Sequence, residues 1–356
     1  MVKFLKNFDE PYRQAACFII GVTCGIIGAL PLFGFSEPFK GMEGIKNFII
    51  LLLAVALLIV ATWFIIFYYR AINNNNSIKK ARKLLTNKKY EDVLTLIEAN
   101  DLSRSLWIEG KLDDRITLGK IAERAAMNLK RDVVLASIYI DDLGWTYVSR
   151  KEYDEAIRCI EKGKEIADNE MNYYLVAKAH RHLAGIAIET RKYDVAEARL
   201  KDAESAASGL FDETKKNEML SGIFYGKALN LLKECRTRNS NDMLIKAMKY
   251  AEKSDELIKN GDKTRMVKNY ALKGNIYEAK NDRSKAKNEY TDGLDMSKRL
   301  GRVDEIIKNH LGLARIAKLE NDTKTCKKHE KSAKKLLNKT PPPYLIDEKE
   351  MELIRI

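Results

Sequence analysis

Apolar residues are concentrated in roughly the first 70 positions, whereas charged and polar residues are interspersed through the rest of the chain. Ala15 to Phe35 carries no charged residue over 21 positions, which at about 1.5 Å per residue lets a helix cross a hydrocarbon core of roughly 30 Å. Asn47 to Tyr69 is dominated by Leu, Ile, Val and Phe, and Trp63 lies in its C-terminal part, where interfacial aromatic residues occur. The pattern predicts a membrane anchor over residues 1–72 with transmembrane helices at about 15–35 and 47–69.

The positions of lysine and arginine predict an orientation for this anchor. Arg70 and the basic residues of Lys79–Lys89 follow the second apolar segment before the first acid, Glu91. Because basic flanks remain cytoplasmic, both termini and the following domain are expected at the cytoplasmic face of a plasma or inner membrane, with Lys79–Lys89 near anionic headgroups. A cleaved signal peptide is the alternative interpretation of the first segment.

Small residues recur every four positions in the first apolar segment, at Gly21, Gly25 and Ala29. This spacing places them on one helix face, where another helix can approach closely. The expected neighbour is either the second apolar segment or a copy of the first in a homo-oligomer.

From about residue 78 the pattern changes to amphipathic helices separated by short polar breaks. No proline occurs between Pro38 and Pro341, so helix can follow helix without interruption. Similar segments recur along this region, and the best of them combine a small residue in one helix with an alanine about twelve positions later. They read Ile140-x2-Leu143-Gly144-x2-Tyr147 with Ala156-x3-Ile160, His180-x2-Leu183-Ala184 with Ala196-x3-Leu200, and Tyr270-x2-Lys273-Gly274-x2-Tyr277 with Ala286-x3-Tyr290.

This run resembles the tetratricopeptide-repeat (TPR) family, whose pattern is W-x2-L-G-x2-Y followed by A-x3-F. The resemblance covers roughly residues 78–338 and implies an all-α fold, in which a TPR-like α-solenoid follows the two-helix transmembrane hairpin. The spacing of Gly144, Ala184, Gly226, Gly274 and Gly312 is near 40 residues rather than 34, so longer helices or turns are expected. A generic α-solenoid is the alternative. Residues 339–356 are predicted to be a proline-rich break and a short C-terminal helix.

The sequence offers little chemistry. It contains no phosphate-binding loop, nucleophile elbow or zinc-protease motif, and its four histidines lack partners at metal-ligand spacing, so we predict no enzyme, no cofactor and no metal site. The net charge of +13 indicates an anionic neighbour. The dense lysines of residues 324–335 include no aromatic residue for base stacking, so no specific nucleic-acid partner is expected.

In the TPR family the first helix of each pair lines a concave groove that holds a partner segment. If the resemblance holds, the residues beside the packing glycines face this groove, and their lysine, arginine and asparagine side chains suit carboxylates and backbone amides. The residues expected to bind a partner are Trp145, Lys178, Arg181, Lys227, Asn230, Asn275 and Asn309.

Together these observations predict a membrane-anchored scaffold of the bacterial inner-membrane type that binds a protein or peptide, acidic in character, at the cytoplasmic face. The alternative is a membrane sensor or effector subunit, in which the repeat array controls an oligomeric transmembrane region.

Overall fold

The structure is a computed structural model, and it describes residues 76–99, 101–238, 240–258 and 263–337. The chain divides into two compact units, residues 1–80 and 81–356, and only residues 76–80 of the first unit are described. Every regular element in these described ranges is a helix. The helices are α1 (76–86), α2 (Tyr90–Ala99), α3 (Leu102–Ile108), α4 (Leu112–Leu129), α5 (Asp132–Ser137, continuing through Ile138–Gly144 to Trp145–Ser149), α6 (Tyr153–Asn169), α7 (Tyr173–Glu189), α8 (Tyr193–Ser208), α9 (Glu213–Arg238), α10 (Asn241–Ile258), α11 (Lys263–Ala279), α12 (Arg283–Arg299), α13 (Val303–Leu319) and α14 (Thr323–Leu337).

Successive helices pack as antiparallel-type pairs joined by short turns, and the pairs are α5–α6, α7–α8, α9–α10, α11–α12 and α13–α14. Helices α7, α11, α12 and α13 each have 17 residues, and three-residue turns join most of them to their neighbours. Two such helices and two such turns make a unit of about 40 residues, which accounts for the spacing seen in the sequence. The array is therefore an all-α helical repeat built from pairs longer than the standard 34-residue unit.

Most of the turns between helices share one backbone conformation. The second residue after the helix end adopts a left-handed conformation, as at Met171 (φ 50°), Arg191 (φ 59°) and Asn321 (φ 59°). The next backbone N–H then donates to the carbonyl five residues earlier, for example from Asn172 to Ala167 at 2.8 Å. This is the Schellman arrangement, which satisfies the last helical carbonyls without proline or a long loop.

In three of the pairs, the second helix buries mainly small side chains against its neighbours. In α6 the buried positions are Ala156, Ile160, Gly163 and Ala167. In α8 they are Ala196, Leu200, Ala203 and Ala207, and α12 repeats the order with Ala286, Tyr290, Gly293 and Ser297, with Leu294 also buried. The small side chains let the neighbouring first helices approach closely, so that these pairs bury apolar surface against the next.

The first helix of the leading pair contains an irregularity. Helix α5 passes through a π-helical segment, Ile138–Gly144, before it returns to α-helix at Trp145. A π-helical turn adds a residue to the helical repeat and changes which side chains face each neighbour. The segment carries Asp141 and Asp142, so it sets the directions of two carboxylates.

The prediction of a two-helix transmembrane hairpin, with a membrane localisation and a cytoplasmic array, is corrected by the structure. Within the described residues, no helix is both long and apolar enough to cross a membrane. Their apolar side chains are confined to packing stripes and charges interrupt the other faces; even the longest helix, α9, carries Lys227 and Lys233 in its second half. The predicted spans 15–35 and 47–69, the small residues Gly21, Gly25 and Ala29, and the C-terminal segment 339–356 lie outside the described residues.

The sequence pattern also missed two helices. Helix α2 lies before the regular repeats, and its Val93, Leu94 and Ile97 are buried. Helices α3 and α4 follow it without a recognisable repeat pattern, and α4 packs against α5. Its buried stripe includes a charged residue, Arg115, which weakens the hydrophobic signal.

Candidate partner-binding groove

The first helices of four consecutive pairs, α7, α9, α11 and α13, line one open pocket. We call it the first-helix groove. Two helices supply most of its lining, and the residues of α9 recur at helical spacing so that they lie on one face. The lining residues are Glu189 of α7; Tyr225, Leu229, Leu232, Lys233 and Arg236 of α9; Ala271, Leu272 and Asn275 of α11; and Lys308 of α13.

The groove combines an apolar floor with a charged rim. Leu232 and Leu272 are buried beneath it, whereas Tyr225 and Leu229 remain partly exposed and present apolar surface. The lining residues include three cations and one carboxylate, Glu189. The lining therefore carries a net positive charge and also presents apolar surface.

Lysines on α11 and α13 strengthen this charge. The Nζ atom of Lys308 lies 2.9 Å from Oε1 of Glu305, whose side chain is fully buried. Burial alone would lower the pKa of Lys308, but the charge of Glu305 holds that pKa above its usual range. Lys268 lies one turn before Ala271 on α11, and its side chain is exposed. Partial desolvation, opposed by the charge of Glu305 and reinforced by Lys308 and Arg302, lowers the pKa of Lys268 to about 8.

Groups that lie two pairs apart interact electrostatically across the groove. Tyr225 on α9 and Lys308 on α13 both line it and interact electrostatically, with α11 between their helices. A single bound segment can therefore contact three pairs at once.

Gly185 leaves an open position beside the groove on α7. An ideal Cβ atom at Gly185 would meet no protein atom within 4 Å. Its neighbours on the same face, one turn away on either side, are Arg181 and Glu189. Arg181 extends to α9 beside Gly222, and Glu189 lies 3.7 Å from Lys233 of α9. Gly185 therefore borders the groove between two side chains that face α9.

A buried polar network lies beneath the start of the array. Arg115 of α4 is 7% exposed, and its Nε and Nη1 atoms donate to Ser103 at 2.9 Å and Thr146 at 3.0 Å. Its Nη2 atom donates to the Asp141 carbonyl and to Oδ1 of Asp142. Burial raises the pKa of Asp142 and lowers the pKa of Arg115. The opposite charge of each partner acts against these shifts, because it stabilises the ionised form of the other. Every group here has a partner within the fold, so the network holds α3, α4 and α5 together.

The neighbouring carboxylate faces the other way. Asp141 accepts a hydrogen bond from Lys178 of α7 at 2.6 Å, and His182 Nε2 lies 3.5 Å from its other oxygen. Burial would raise the pKa of Asp141, but His182 and Lys178 hold it well below its usual range. Burial lowers the pKa of His182 to about 4, so its ring is neutral at pH 7, and it packs against Trp145 with centroids 4.7 Å apart. The adjacent acids of the π-helical segment thus bind two different neighbouring helices.

The structure brings three of the predicted partner-binding residues together. Trp145, Lys178 and Arg181 lie on α5 and α7, and the first two contact the Asp141–His182 pair. Lys227 lies further along on α9, where it forms an ion pair with Glu204 of α8. These side chains are half-buried in contacts within the array, and their use by a partner stays a prediction.

The three predicted asparagines form hydrogen bonds within the array. Asn230 is buried and donates to the Tyr193 carbonyl at 3.2 Å. Asn309 is also buried and donates to the Glu305 carbonyl at 2.7 Å. Asn275 lines the groove, but its Oδ1 atom already accepts hydrogen bonds from Tyr290 and Arg315. Their role in binding a partner likewise stays a prediction.

Sequence reasoning missed Gly185 beside the groove, Lys308 in its lining, and Arg115 and Asp141 in the buried polar contacts at the start of the array. A signal for the last was present, because Asp141-Asp142 interrupts an otherwise apolar stretch directly before Leu143-Gly144. In the described part of the chain, no group of three or more His, Cys, Asp or Glu residues is placed to hold a metal ion.

No protein-family model matches the chain, and a search of curated proteins finds no match to it. Among solved structures, the chain is similar to BtubC (BKLC) from P. vanneervenii, with 17% sequence identity and a TM-score of 0.49 over 66% of this chain and 92% of that chain. The description of the fold as a helical repeat therefore rests on the helix pairs of this chain itself.

Proposed function

We propose that this protein is a scaffold of the TPR type, which binds a segment of a partner protein in the first-helix groove. The observation that carries the proposal is that one pocket is lined by the first helices of four successive pairs. A surface that spans several repeats offers an extended binding site, which is how solenoid proteins recognise partners.

The composition of the groove also supports a protein ligand. Tyr225 and Leu229 offer apolar surface, and polar side chains surround them, as at protein interfaces with an apolar centre and a polar rim. The open position at Gly185 leaves room for a partner to approach the backbone of α7.

Site-specific photo-crosslinking in cells that express the full-length chain tests this proposal. The photoreactive residue p-benzoylphenylalanine is placed at Gly185, where an added Cβ meets no side chain and no neighbouring helix within 4 Å. The matched control places it at Val195 on α8, which is 49% exposed but belongs to a second helix. We expect a discrete adduct with another protein from Gly185 and none from Val195. Adducts of equal yield at both positions, or none at Gly185, would contradict the proposal.

A further inference from the structure

Cations outnumber carboxylates in the lining of the first-helix groove. Of its four charged lining residues, Lys233, Arg236 and Lys308 are cations and only Glu189 is an anion. Lys268 adds a further exposed ammonium group on α11, one turn before the lining residue Ala271. Two carboxylates lie near this part of the groove: buried Glu305 pairs with Lys308, and Asp304 pairs with Arg302.

The apolar surface lies between these cations. Leu229 follows Tyr225 by four residues and precedes Lys233 by four, so the three form one stripe on α9. A ligand that places an apolar side chain over Tyr225 and Leu229 would bring its neighbouring groups toward Lys233 and Arg236 on one side and Lys268 and Lys308 on the other.

We propose that the first-helix groove binds an acidic segment of the partner, in which carboxylates flank apolar side chains. This inference rests on the proposed function and adds the chemistry of the ligand. The cations of α9, α11 and α13 pair with the carboxylates, and Tyr225 and Leu229 receive the apolar side chain between them. Ion pairing at a concave surface is stronger than on an open face because less water screens it.

The choice of variants follows from the ion pairs of the groove. Replacing Lys308 would leave the buried Glu305 without its partner, so that variant would test stability rather than binding. Lys268 is exposed and is the better probe. Its matched control is Lys201 of α8, an exposed lysine whose side chain is 67% accessible on a second helix. Lys268→Gln and Lys201→Gln remove the same charge from different faces.

The measurement is fluorescence polarisation with the full-length protein and three labelled twelve-residue peptides. In these probes leucine alternates with glutamate, glutamine or lysine. We expect the glutamate peptide to bind at least tenfold more tightly than the other two. Lys268→Gln should weaken it at least fivefold and Lys201→Gln less than twofold. Gly185→Trp, which fills the open position beside the groove, should also weaken it.

The other outcomes separate the two proposals. Equal binding of the glutamate and glutamine peptides, or no binding of either, would overturn the acidic selection. Crosslinking from Gly185 would still decide whether the groove binds protein at all. A single-stranded oligonucleotide that binds more tightly than the glutamate peptide and depends on Lys268 would overturn the assignment to an acidic protein segment.

Discussion

A Cβ atom on Gly274 would lie 2.4 Å from Cε1 of Tyr290, so the ring of Tyr290 occupies the space that any larger residue at position 274 would need. Tyr290 is fully buried on α12, and on its other side a Cβ on Gly312 would also lie 2.4 Å from the same atom. The ring is therefore held between the first helices of two successive pairs and cannot move away from either. This contact explains why small residues recur at these two positions of the repeat.

We expect Gly274→Ala to destabilise the array by about 1–3 kcal/mol. Alanine has the higher helix propensity by roughly 1 kcal/mol, but overpacking against a ring fixed on both sides outweighs that gain. The shift of the urea midpoint, followed by circular dichroism, measures the effect.

Gly185→Ala is the matched control, because an added Cβ there meets no atom within 4 Å. It should stabilise the protein by about 0.5–1 kcal/mol through helix propensity alone. Equal effects of the two substitutions would contradict the packing argument.

The hydroxyl of Tyr290 provides a second prediction. It lies 2.7 Å from both Asn275 Oδ1 and Glu278 Oε2, and Arg315 donates to it at 3.0 Å. Tyr290→Phe should cost about 1–2 kcal/mol, because the hydrogen bonds are lost while the Arg315–Glu278 ion pair remains. Tyr277→Phe, a tyrosine only partly buried on α11, is the control and should change stability by less than about 0.5 kcal/mol. A Tyr290→Phe variant as stable as the parent would show that the network adds nothing beyond packing.

The buried network of α3, α4 and α5 is a third test. Arg115→Ala should destabilise the protein by about 3–5 kcal/mol, because Asp142 would lose its ion-pair partner while remaining largely enclosed. Lys120→Ala on the same helix, at an exposed position, should stay within about 0.5 kcal/mol of the parent.

Combining Arg115→Met with Asp142→Leu removes both charges and tests the origin of this cost. We expect the double variant to be more stable than Arg115→Ala, since no buried charge is left unpaired. If the stability lost in the double variant equals the sum of the losses in Arg115→Met and Asp142→Leu alone, measured by the same urea titration, the two residues act independently.

The helix pairs could be predicted from sequence because their signals are local. Gly144 with Ala156 and Gly274 with Ala286 mark close approaches within a pair, and the structure places these small residues at buried contacts. Repetition of the pattern made the array recognisable even where single units were degenerate. The 40-residue spacing also predicted longer helices or turns, and the 17-residue helices account for it.

The groove was harder to predict, because a polar side chain in a solenoid can either line the surface or be buried with a hydrogen-bond partner. The sequence pattern is the same in both cases. Asn309 and Asn230, which the sequence places beside packing glycines, are buried in the structure, and their amides donate to backbone carbonyls. The π-helical segment at Asp141 shifts the helical phase, so spacing alone could not show which neighbour each acid faces. Gly185 resembles the packing glycines in sequence but borders open space.

The last helix pair provides a prediction on pH that sequence spacing missed. His310 of α13 and His329 of α14 are 19 positions apart, and their Nδ1 atoms lie 2.8 Å from each other. One nitrogen donates to the other, so protonation of both would place two donors face to face. Burial, with the charges of His329, Lys298 and Lys328, lowers the pKa of His310 to about 4; burial and the two lysines also lower the pKa of His329.

Because the folded-state pKa of each histidine lies below its unfolded value near 6.5, the unfolded chain binds protons first as pH falls. The free energy of unfolding should therefore decrease by about 1–3 kcal/mol for the pair as the pH falls from about 6.5 to about 4. Urea titrations of the parent and of His310→Asn/His329→Asn, from pH 7.5 to 4.5, measure this. His182, whose pKa is also about 4, titrates in the same range in both proteins and so cancels in the comparison.

The double variant should lose less stability than the parent on acidification, and amide exchange in α14 should respond most, since this helix has a neighbour on only one side among the described helices. An identical pH dependence in the two proteins would show that the histidine pair does not hold α14 in place.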